Sequence, residues 1–421
     1  MNLSPCSAAA VAETSQWVSA AAARWQNGYT LDQPFYTDPA IFRMDLERVF
    51  WRHWLLAGHV SRIPDPGDYF LYEIAGESII VVRDKEQQIH AHYNVCTHRG
   101  SRVCYEPSGH AMALVCPYHA WTFGHDGSLR GARAMPDDFD RSQHGLRSCP
   151  VTVRHGLIYV YVGDESPPEF DSVLTDTDPF LSPHELQQAK LCRRMTWEIR
   201  ANWKLVLENF AECYHCGPAH PEYCAIMEHG MPLSTGHRRE MDELEARARA
   251  WETTAQALGH FTGAVKPMAS TLTSASRIPI GSGHQSQSRD GRQIAPLMGR
   301  FQVNDGGLTS VRVHPGGYVI APCDYAIVNR FTPLAADLTL QEILWLVHPD
   351  AVEGTDYDPE EIMYLWRVTS DEDQRIIEEN QRGVSSRAYR PGPYSRTEDG
   401  PNRFVRWYLH ELCGRDSGAE P

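Results

Sequence analysis

Two short pairs of cysteine and histidine constrain the fold of this chain more than any other feature of its sequence. Cys96 and His98 are separated by one residue, and Cys116 and His119 follow after seventeen intervening residues. Each pair is short enough for one tight loop to direct both side chains at a single metal centre. We therefore expect a scaffold that holds two such loops side by side.

The mixed pairing bears on which metal the four side chains hold. A zinc ion accepts two thiolates and two imidazoles, and so does a 2Fe–2S cluster with thiolates on one iron and imidazoles on the other. Zinc fingers space their pairs differently and usually pair like ligands, so the pattern favours the cluster. Two neutral imidazoles in place of thiolates raise the reduction potential, which suits a centre that accepts electrons and passes them on.

Short apolar runs surround these loops, from about Asp45 to Gly163. They are punctuated by Gly, Pro and Asp, and their sequences are WLLAGHV, YFLYEIAG, SIIVVRD, IHAHYNV and GLIYVYVG. Runs of this length and spacing are typical of antiparallel strands. We predict a β domain over residues 45–165, preceded by an N-terminal helical segment over residues 1–44 that packs on a second domain.

The pattern changes near residues 165–168, which have the sequence ESPP. Helical and strand patterns follow one another after this point. We therefore assign residues 166–421 to a second domain of the α+β class. Apolar residues at helical spacing predict a helix that Asn202 caps and that runs to His215. Other expected elements are a helix over 237–258, a mobile loop or lid over 268–295, strands in TSVRVH, YVIAP, YAIVNRF and LTLQEILWLVH, and a helix over about 359–382.

A second group of metal-ligating residues lies at the end of the helix that Asn202 begins. Glu212 and His215 are three residues apart and would share one helical face. His215 and His220 are five apart, and positions five apart in one helix diverge by roughly 140°, so they could not share a metal there. We expect the Gly-Pro at 217–218 to end the helix and fold His220 back.

Two imidazoles and one carboxylate form the facial triad of non-haem Fe(II) oxygenases, which leaves coordination positions open for O2. The carboxylate must come from elsewhere in the chain. The acidic candidates lie together on the last long helix: Asp371, Glu372 and Asp373. Spacing alone does not choose among the three, and a solvated acidic helix face is the alternative interpretation.

The chain has eleven cysteines, an odd number, spread along its whole length. This distribution argues against an exported disulfide scaffold and indicates a reducing compartment. Cys213, Cys216 and Cys224 lie beside the predicted iron ligands. We predict no thiolate metal site there, because on a continuous helix Cys213 faces away from the His215 side.

The charge balance excludes other classes of function. Lys and Arg total 39 against 54 Asp and Glu, and a net charge of −15 disfavours binding to nucleic acids and anionic membranes. No apolar run approaches the ~18 residues that a membrane helix needs. The N-terminal stretch has no Lys or Arg before Arg24, so it lacks the charged region of a signal peptide. We expect a cytoplasmic protein.

Taken in order, these motifs resemble the α subunits of Rieske non-haem iron oxygenases along nearly the whole chain. The matching residues are CTH and CPYH with seventeen residues between them, then NWK, ENF and E-x2-H-x4-H. The resemblance implies a Rieske β domain ahead of a helix-grip catalytic domain, an antiparallel sheet with helices, assembled as a homotrimer. It implies a 2Fe–2S cluster on Cys96, His98, Cys116 and His119, and mononuclear Fe(II) on His215 and His220.

The same resemblance implies roles for further residues. In that family the carboxylate ligand precedes the Q-R-G end of the last helix by eight residues. Counting back from Gln381 selects Asp373, with Asp371 as the fallback. An acidic residue three before the first iron histidine bridges to a cluster histidine of the neighbouring subunit and conducts electrons. Here that position is Glu212, and Asn209, one helical turn earlier, is expected to support the active site.

Glu212 narrows the resemblance to a subgroup. Most aromatic-ring dioxygenases have Asp at this position, whereas Glu is similar to the subgroup that attacks quaternary amines such as carnitine. The stretches LVLENFAECYHC, AVEGTDYD, DEDQRIIEENQRG and YRPGPYS resemble glycine betaine monooxygenase and proline betaine (stachydrine) demethylase. The implied reaction is hydroxylation of an N-methyl group of a betaine-like quaternary amine. The carbinolamine then collapses to formaldehyde and the demethylated amine.

A betaine substrate would need an aromatic cage for its cation and a basic or amide group for its carboxylate. The cage candidates are Phe210, Tyr214, Tyr325, Phe331 and Trp345, and the candidates for the carboxylate are Arg300 and Arg330. An ordinary core position is the alternative interpretation for each aromatic residue.

Two other functions stay open at this point. One is aromatic-ring hydroxylation by a Rieske dioxygenase, and the other is electron transfer or redox sensing by the cluster alone. The chain has no GxGxxG at a strand-to-helix turn. NAD(P)H and flavin are therefore expected only in a separate flavin or iron–sulfur reductase, which would split the hydride into single electrons.

Overall fold

The computed structural model describes residues 8–265, 273–313 and 315–413. Its helices in chain order are α1 Ala8–Arg24, α2 Pro34–Thr37, α3 Pro39–Arg48, α4 Asp171–Thr175, α5 Asp178–Leu181, α6 Trp203–Phe210, α7 Cys216–Ala219, α8 Pro221–Ile226, α9 Gly230–Thr235, α10 Arg238–Ala257, α11 Pro359–Val384 and α12 Asp399–Cys413. Its strands are β1 Leu55–His59, β2 Asp68–Ile74, β3 Glu77–Arg83, β4 Ile89–Tyr93, β5 Ser108–His110, β6 Leu114–Val115, β7 Thr122–Phe123, β8 Leu129–Gly131, β9 Val151–Arg154, β10 Leu157–Val160, β11 Lys190–Ile199, β12 Gly263–Val265, β13 Ser274–Pro279, β14 Gly307–Val313, β15 Gly317–Ala321, β16 Ala326–Ala335 and β17 Leu338–Val347.

The first ten strands form three small antiparallel sheets, in the orders β1-β10-β9, β4-β3-β2-β5 and β6-β7-β8. Strand β2 shows how they divide the core, because successive side chains of a strand point to opposite faces. Phe70 and Tyr72 pack into the main core, whereas Tyr69 and Leu71 pack into a separate apolar cluster. This separate cluster contains Cys96 and Cys116, so one face of the β4-β3-β2-β5 sheet packs against both predicted ligand loops.

The other seven strands form one antiparallel sheet in the order β11-β17-β16-β15-β14-β13-β12. Both faces of β17 are covered, since Ile343 and Trp345 join one apolar core and Leu344 and Leu346 join another. The long helix α11 packs into the same core as Ile343 and Trp345. A large antiparallel sheet gripped by helices confirms the predicted α+β class.

Local signals account for where the main helices begin. The Asn202 side chain accepts a hydrogen bond from the Lys204 amide and caps α6. In α11, Asp358 caps Glu360 in the same way, and Pro359 occupies the first turn, where its missing N–H costs nothing. The predictions for α10 and α11 agree with the structure to within about two residues at each end.

The N-terminal helices are joined to the second domain by buried charges as well as by apolar packing. Asp45 of α3 accepts hydrogen bonds from Trp203 Nε1 at 2.9 Å and from the Tyr408 hydroxyl at 2.7 Å, and it pairs with the buried Lys204 ammonium. Phe35 packs edge-to-face on Tyr408 of α12. Helices α3, α6 and α12 therefore meet around one ion pair.

The prediction of a mobile loop or lid over residues 268–295 is confirmed as a loop over residues 280–295, which form no helix or strand, and is wrong for residues 274–279. Ser274–Pro279 is strand β13 of the large sheet, and Gln287 is fully buried. Gln287 accepts hydrogen bonds from Tyr325 and Trp366, which fix this segment against the core. Residues 268–272 lie outside the described residues. Within residues 8–265, 273–313 and 315–413, no helix has both the length and the apolar character needed to cross a bilayer.

Candidate active site

The two Cys/His loops have the same backbone conformation. In the first, the Gly100 amide bonds back to the Cys96 carbonyl at 2.9 Å, and in the second the Ala120 amide bonds to the Cys116 carbonyl at 2.9 Å. Gly100 and Ala120 both adopt left-handed backbone angles, with φ of +77° and +57°. Each loop thus closes four residues after its cysteine and presents its cysteine and histidine on the same side.

The side chains of these loops converge and fit a 2Fe–2S cluster. The His98 and His119 rings lie 4.6 Å apart, and the Cys96 thiol is close enough to Cys116 to interact with it. The Nδ1 atom of His98 is buried and has no hydrogen-bond partner among the described residues, as expected of an atom reserved for a metal. His119 is exposed, so this edge of the site faces outward.

The helix that carries the first iron-site residues ends five residues earlier than predicted. It stops at Phe210, and the Arg312 guanidinium donates to the Phe210 carbonyl of this last turn at 3.0 Å. Glu212 and His215 are therefore in a loop, not on one helical face. The Gly-Pro at 217–218 does not end a helix either, since both residues lie inside the short helix α7.

The loop nevertheless brings the predicted iron ligands together. His220 Nε2 lies 3.1 Å from Asp373 Oδ1, and His215 Nε2 lies 3.5 Å from the same oxygen. One ligand atom from each residue falls within 4.8 Å of the other two. Among the described residues this is the one His, Cys, Asp or Glu cluster of such geometry, and two imidazoles with a carboxylate suit Fe(II).

Each imidazole is held by a carboxylate on its other nitrogen. His215 Nδ1 donates to Glu212 Oε1 at 2.5 Å, and His220 Nδ1 donates to Glu372 Oε2 at 2.8 Å. These bonds fix the tautomer in which both Nε2 atoms are free to bind a metal. The Asn209 amide lies 3.4 Å from His215 Nε2 and so belongs to the same site. The sequence singled out Glu212 but missed this role of Glu372.

The electrostatics of the group formed by His215, His220 and Asp373 suit a divalent cation. Burial acts to raise the pKa of Asp373, but its contacts with His215 and His220 lower that pKa below its usual value. Burial acts to lower the pKa of His215, and the contacts with Asp373 and Glu212 outweigh it and raise the pKa to about 9. The carboxylates thus create a negative potential at the point where the imidazoles meet.

The three adjacent acidic residues of α11 have three different surroundings. Asp373 is buried beside the two histidines, Glu372 holds His220, and Asp371 accepts a hydrogen bond from Trp197 Nε1 at 2.7 Å. Consecutive helix positions are rotated by about 100°, so only one of three neighbours can point into a given site. A purely solvated acidic face is therefore the wrong interpretation of this stretch.

A cavity of about 380 Å³ opens beside the three converging side chains. Its aromatic lining comes from four elements: Phe210, Tyr223, Tyr318 and Trp366. The Phe210 ring lies 5.5 Å from Tyr318 and 6.5 Å from Trp366, and Tyr223 lies 6.3 Å from Trp366. Aromatic residues from four elements thus contribute to the wall of the cavity.

Two arginines also line this cavity. The Arg312 guanidinium lies 5.0 Å from the centre of the Tyr318 ring, and among the described residues it has no carboxylate partner. By contrast, Arg403 at the same cavity is paired with Asp399. Arg312 was not a sequence candidate, because an arginine in a strand pattern is indistinguishable from a solvent-facing one.

Most of the proposed cage residues and both proposed arginines lie elsewhere. Tyr325 and Trp345 are fully buried in the core and Tyr214 is exposed; none of the three lines the cavity. Phe210 lines it, with Phe331 packed behind at 4.6 Å. Arg300 pairs with Glu185 near the surface, and Arg330 pairs with the buried Glu342.

The cysteines beside the iron site depart from expectation. Cys213 and Cys216 are joined by a disulfide, with a Cα–Cα distance of 4.9 Å, and both line the cavity. The prediction that Cys213 faces away from His215 assumed a continuous helix. Because α6 ends at Phe210, the loop instead turns Cys213 back toward Cys216.

Comparisons with known proteins agree with this architecture. The family described as "Ring hydroxylating alpha subunit (catalytic domain)" matches residues 186–412, and the Rieske 2Fe–2S domain matches residues 53–150. The chain is 39% identical to the glycine betaine monooxygenase oxygenase subunit of Chromohalobacter salexigens, over 94% of this chain and 88% of that protein. It is 37% identical to the subunit of the same name from Pseudomonas aeruginosa, over 92% and 90% of the two chains.

Solved structures share the fold at lower identity. A quaternary ammonium Rieske monooxygenase superposes with a TM-score of 0.71 and 24% identity, over 92% of this chain and 98% of that one. Naphthalene 1,2-dioxygenase from Rhodococcus superposes with a TM-score of 0.64 and 18% identity, over 96% and 99%. Both substrate classes therefore occur on this fold, and the fold does not distinguish them.

Proposed function

Because this chain belongs to the Rieske oxygenase α-subunit family, we propose that it is a monooxygenase that hydroxylates an N-methyl group of a betaine-like quaternary amine. The hydroxylated methyl group leaves as formaldehyde, and the amine is released with one methyl group fewer. The oxygenase subunits of glycine betaine monooxygenase, similar to this chain over nearly its full length, support this class of substrate.

We assign the cluster to Cys96, His98, Cys116 and His119 and the mononuclear iron to His215, His220 and Asp373. The donor set of each group and the convergence of its side chains support the assignment. When bound, the cluster would supply single electrons, and the ferrous ion would supply O2 activation for insertion into a C–H bond. We also divide the chain functionally into residues 1–44, 45–165 and 166–421.

Neighbouring side chains orient the two histidines proposed to bind iron. Glu212 and Glu372 orient the two imidazoles, and Asn209 supports His215 from α6. We propose that Glu212 also connects His215 to the exposed cluster edge of a neighbouring subunit. His119 is exposed and is therefore available to such a contact.

The observation that carries the choice of substrate is the lining of the cavity. Three aromatic rings line it, those of Phe210, Tyr318 and Trp366, and aromatic rings attract a cation placed over their faces. Arg312, with no carboxylate partner among the described residues, supplies a positive charge for a substrate carboxylate. An aromatic hydrocarbon would use the rings but would offer no counter-charge to the half-buried Arg312 guanidinium, so the lining favours a betaine over a ring substrate.

Electrons must come from another protein. We propose a flavin or iron–sulfur reductase that draws on NAD(P)H, a homotrimer in which the cluster of one subunit serves the iron of the next, and a cytoplasmic location. The similar proteins are named as oxygenase subunits, which supports a separate electron donor. A solved neighbour is described as using inter-subunit electron transfer, which supports the assembly.

Product analysis tests the proposed reaction. The iron-loaded protein, supplied with a chemical reductant and O2, should convert glycine betaine with deuterated methyl groups into deuterated formaldehyde and dimethylglycine. Indole and naphthalene, offered under the same conditions, should remain unchanged. Hydroxylated aromatic products without demethylation of any quaternary amine would overturn the proposal in favour of ring hydroxylation.

A further inference from the structure

Two cysteines bracket the iron ligand His215 in the sequence Cys-Tyr-His-Cys. Cys213 and Cys216 are 9% and 5% exposed, and both line the same cavity as His215 and Asp373. Their sulfur atoms are bonded to each other. The sulfur pair therefore lies in the wall of the same cavity as the proposed iron ligands, within reach of a small molecule in that cavity.

The turn that carries these cysteines does not depend on the sulfur–sulfur bond. The Cys216 amide donates to the Cys213 carbonyl at 3.3 Å. The Ser234 hydroxyl accepts from the Gly217 amide at 2.6 Å and donates to the Cys213 carbonyl at 3.0 Å. Since the backbone is already held by these hydrogen bonds, the bond between the sulfurs can open and close without dismantling the iron site.

The other cysteines are differently placed. All eight remaining cysteines within the described residues are free, including the two in the cluster loops. The nearest in sequence, Cys224, lies with its sulfur against Gly230 and is not part of the bonded pair. The chain is therefore disulfide-free elsewhere in its described residues, and the bonded pair lies beside the site where O2 would be reduced.

We infer that Cys213 and Cys216 form a reversible dithiol–disulfide pair that reduces hydrogen peroxide released at the iron site. One thiolate attacks the peroxide, breaks its O–O bond and becomes a sulfenic acid, with release of one water molecule. The second thiol attacks that sulfur, the disulfide forms, and a second water molecule leaves. The two sulfurs lose two electrons in total, which reduce the peroxide, and a dithiol reductant restores both thiols.

The source of the peroxide follows from the chemistry of O2. Two electrons and two protons delivered to O2 without oxidation of a substrate yield hydrogen peroxide. Only this source rests on the proposed function, because the sulfur chemistry itself needs no iron. Peroxide added from outside and peroxide made during turnover therefore test the two ideas separately.

Mass spectrometry of one peptide provides the first test. Trypsin should release Leu205–Arg238 as a single fragment that contains Cys213, Cys216 and Cys224. The iron-loaded protein is reduced with dithiothreitol, treated with equimolar hydrogen peroxide, and alkylated under denaturing conditions. We expect alkylation to be lost from Cys213 and Cys216 and retained on Cys224, and we expect dithiothreitol to restore it.

Serine variants separate this role from a merely structural one. Cys224→Ser is the matched control and should form the same disulfide as the wild type. In Cys213→Ser, peroxide should instead drive Cys216 to sulfinic or sulfonic acid, and the protein should lose mononuclear iron faster than the wild type. Full alkylation of both cysteines at peroxide doses that bleach the cluster would overturn the inference, as would pairing with Cys224.

A turnover experiment locates the peroxide source. The wild type, cycled with reductant and O2 in the absence of substrate, should accumulate the same disulfide, and catalase should not prevent it, since the pair lies inside the cavity. If added peroxide forms the disulfide but cycling does not, the sulfur chemistry holds and the peroxide source is wrong.

Discussion

At the scale of single residues, three consecutive acidic side chains of α11 have three different contacts. Asp371, Glu372 and Asp373 follow one another in sequence, yet they contact Trp197, His220 and both histidines respectively. The sequence limited the third ligand to these three residues. Choosing among them required the family spacing or the helix orientation, because the helical rotation between neighbours is invisible in a run of acids.

Substituting this carboxylate should remove one metal and spare the other. We expect Asp373→Ala to lose mononuclear iron while it keeps the visible spectrum of the cluster, because two imidazoles alone bind Fe(II) weakly. Asp371→Ala is the matched control and should keep both centres. Metal analysis combined with absorption spectroscopy measures both, and full iron occupancy in Asp373→Ala would reassign the ligand.

Arg312 should discriminate between substrates that carry a carboxylate and those that do not. A hydrogen bond to a charged group is worth about 1.5–3 kcal/mol, so Arg312→Gln should raise KM for glycine betaine by roughly 10- to 150-fold. KM for tetramethylammonium should change little. The surface variant Arg300→Gln should affect neither compound. An equal increase for both compounds would show that Arg312 only caps α6.

At the scale of elements, the end of α6 marks the main limit of sequence reasoning at the site. The apolar spacing predicted its start correctly, since Asn202 caps it. At its end, the Phe210 carbonyl accepts a hydrogen bond from Arg312, which lies about a hundred residues away in β14. Local patterns record local contacts, so a cap supplied by a distant strand could not be predicted. The disulfide between Cys213 and Cys216 was not predicted because the sequence analysis assumed that α6 continues through these residues.

Helix α6 also contains a carboxylate whose burial makes stability depend on pH. Glu208 accepts hydrogen bonds from Tyr36 and Tyr394 at 2.8 Å each, yet burial raises its pKa from 4.5 to about 7. Between about pH 4.5 and pH 7, Glu208 is therefore protonated in the folded state and ionised in the unfolded state. Stability is fully present below about pH 4.5 and falls as the pH rises toward 7.

Glu208→Gln should remove this dependence, because glutamine resembles the protonated acid. We expect the variant to gain stability over the wild type by about 2 kcal/mol between pH 5.5 and pH 8. Unfolding in urea, followed at several pH values in that range, measures the difference. Glu86→Gln, at an exposed position, is the control and should show no such trend. A constant difference across the range would contradict the assigned burial effect.

At the scale of the whole molecule, the sequence predicted the architecture better than it predicted the residues that line the cavity. The Cys/His pairs, the β runs and the long C-terminal helix led to the two-part α+β architecture that the structure has. Side-chain direction within the large sheet was not predictable, so Trp345 and Arg330 were misplaced while Arg312 and Tyr318 were missed. Neighbouring strand residues face opposite sides, and only the assembled sheet shows which side holds the cavity.

The proposed electron transfer between subunits predicts complementation of two inactive variants. Cys116→Ser should lack the cluster, and His215→Ala should lack the mononuclear iron. Mixed oligomers of the two, isolated by different affinity tags, should regain part of the demethylation activity. Mixtures of Cys116→Ser with Cys96→Ser, which both lack the cluster, are the control and should stay inactive. No recovery in mixed oligomers that hold both metals would place the transfer within one chain.

The most direct test of the central claim is a single turnover. The protein is reduced chemically, freed of excess reductant, and mixed with O2 and either a quaternary amine or an aromatic compound, while cluster oxidation and formaldehyde are followed together. We predict that a betaine accelerates cluster oxidation and yields formaldehyde in step with it. Acceleration by an aromatic compound alone, with no formaldehyde from any betaine, would contradict the claim.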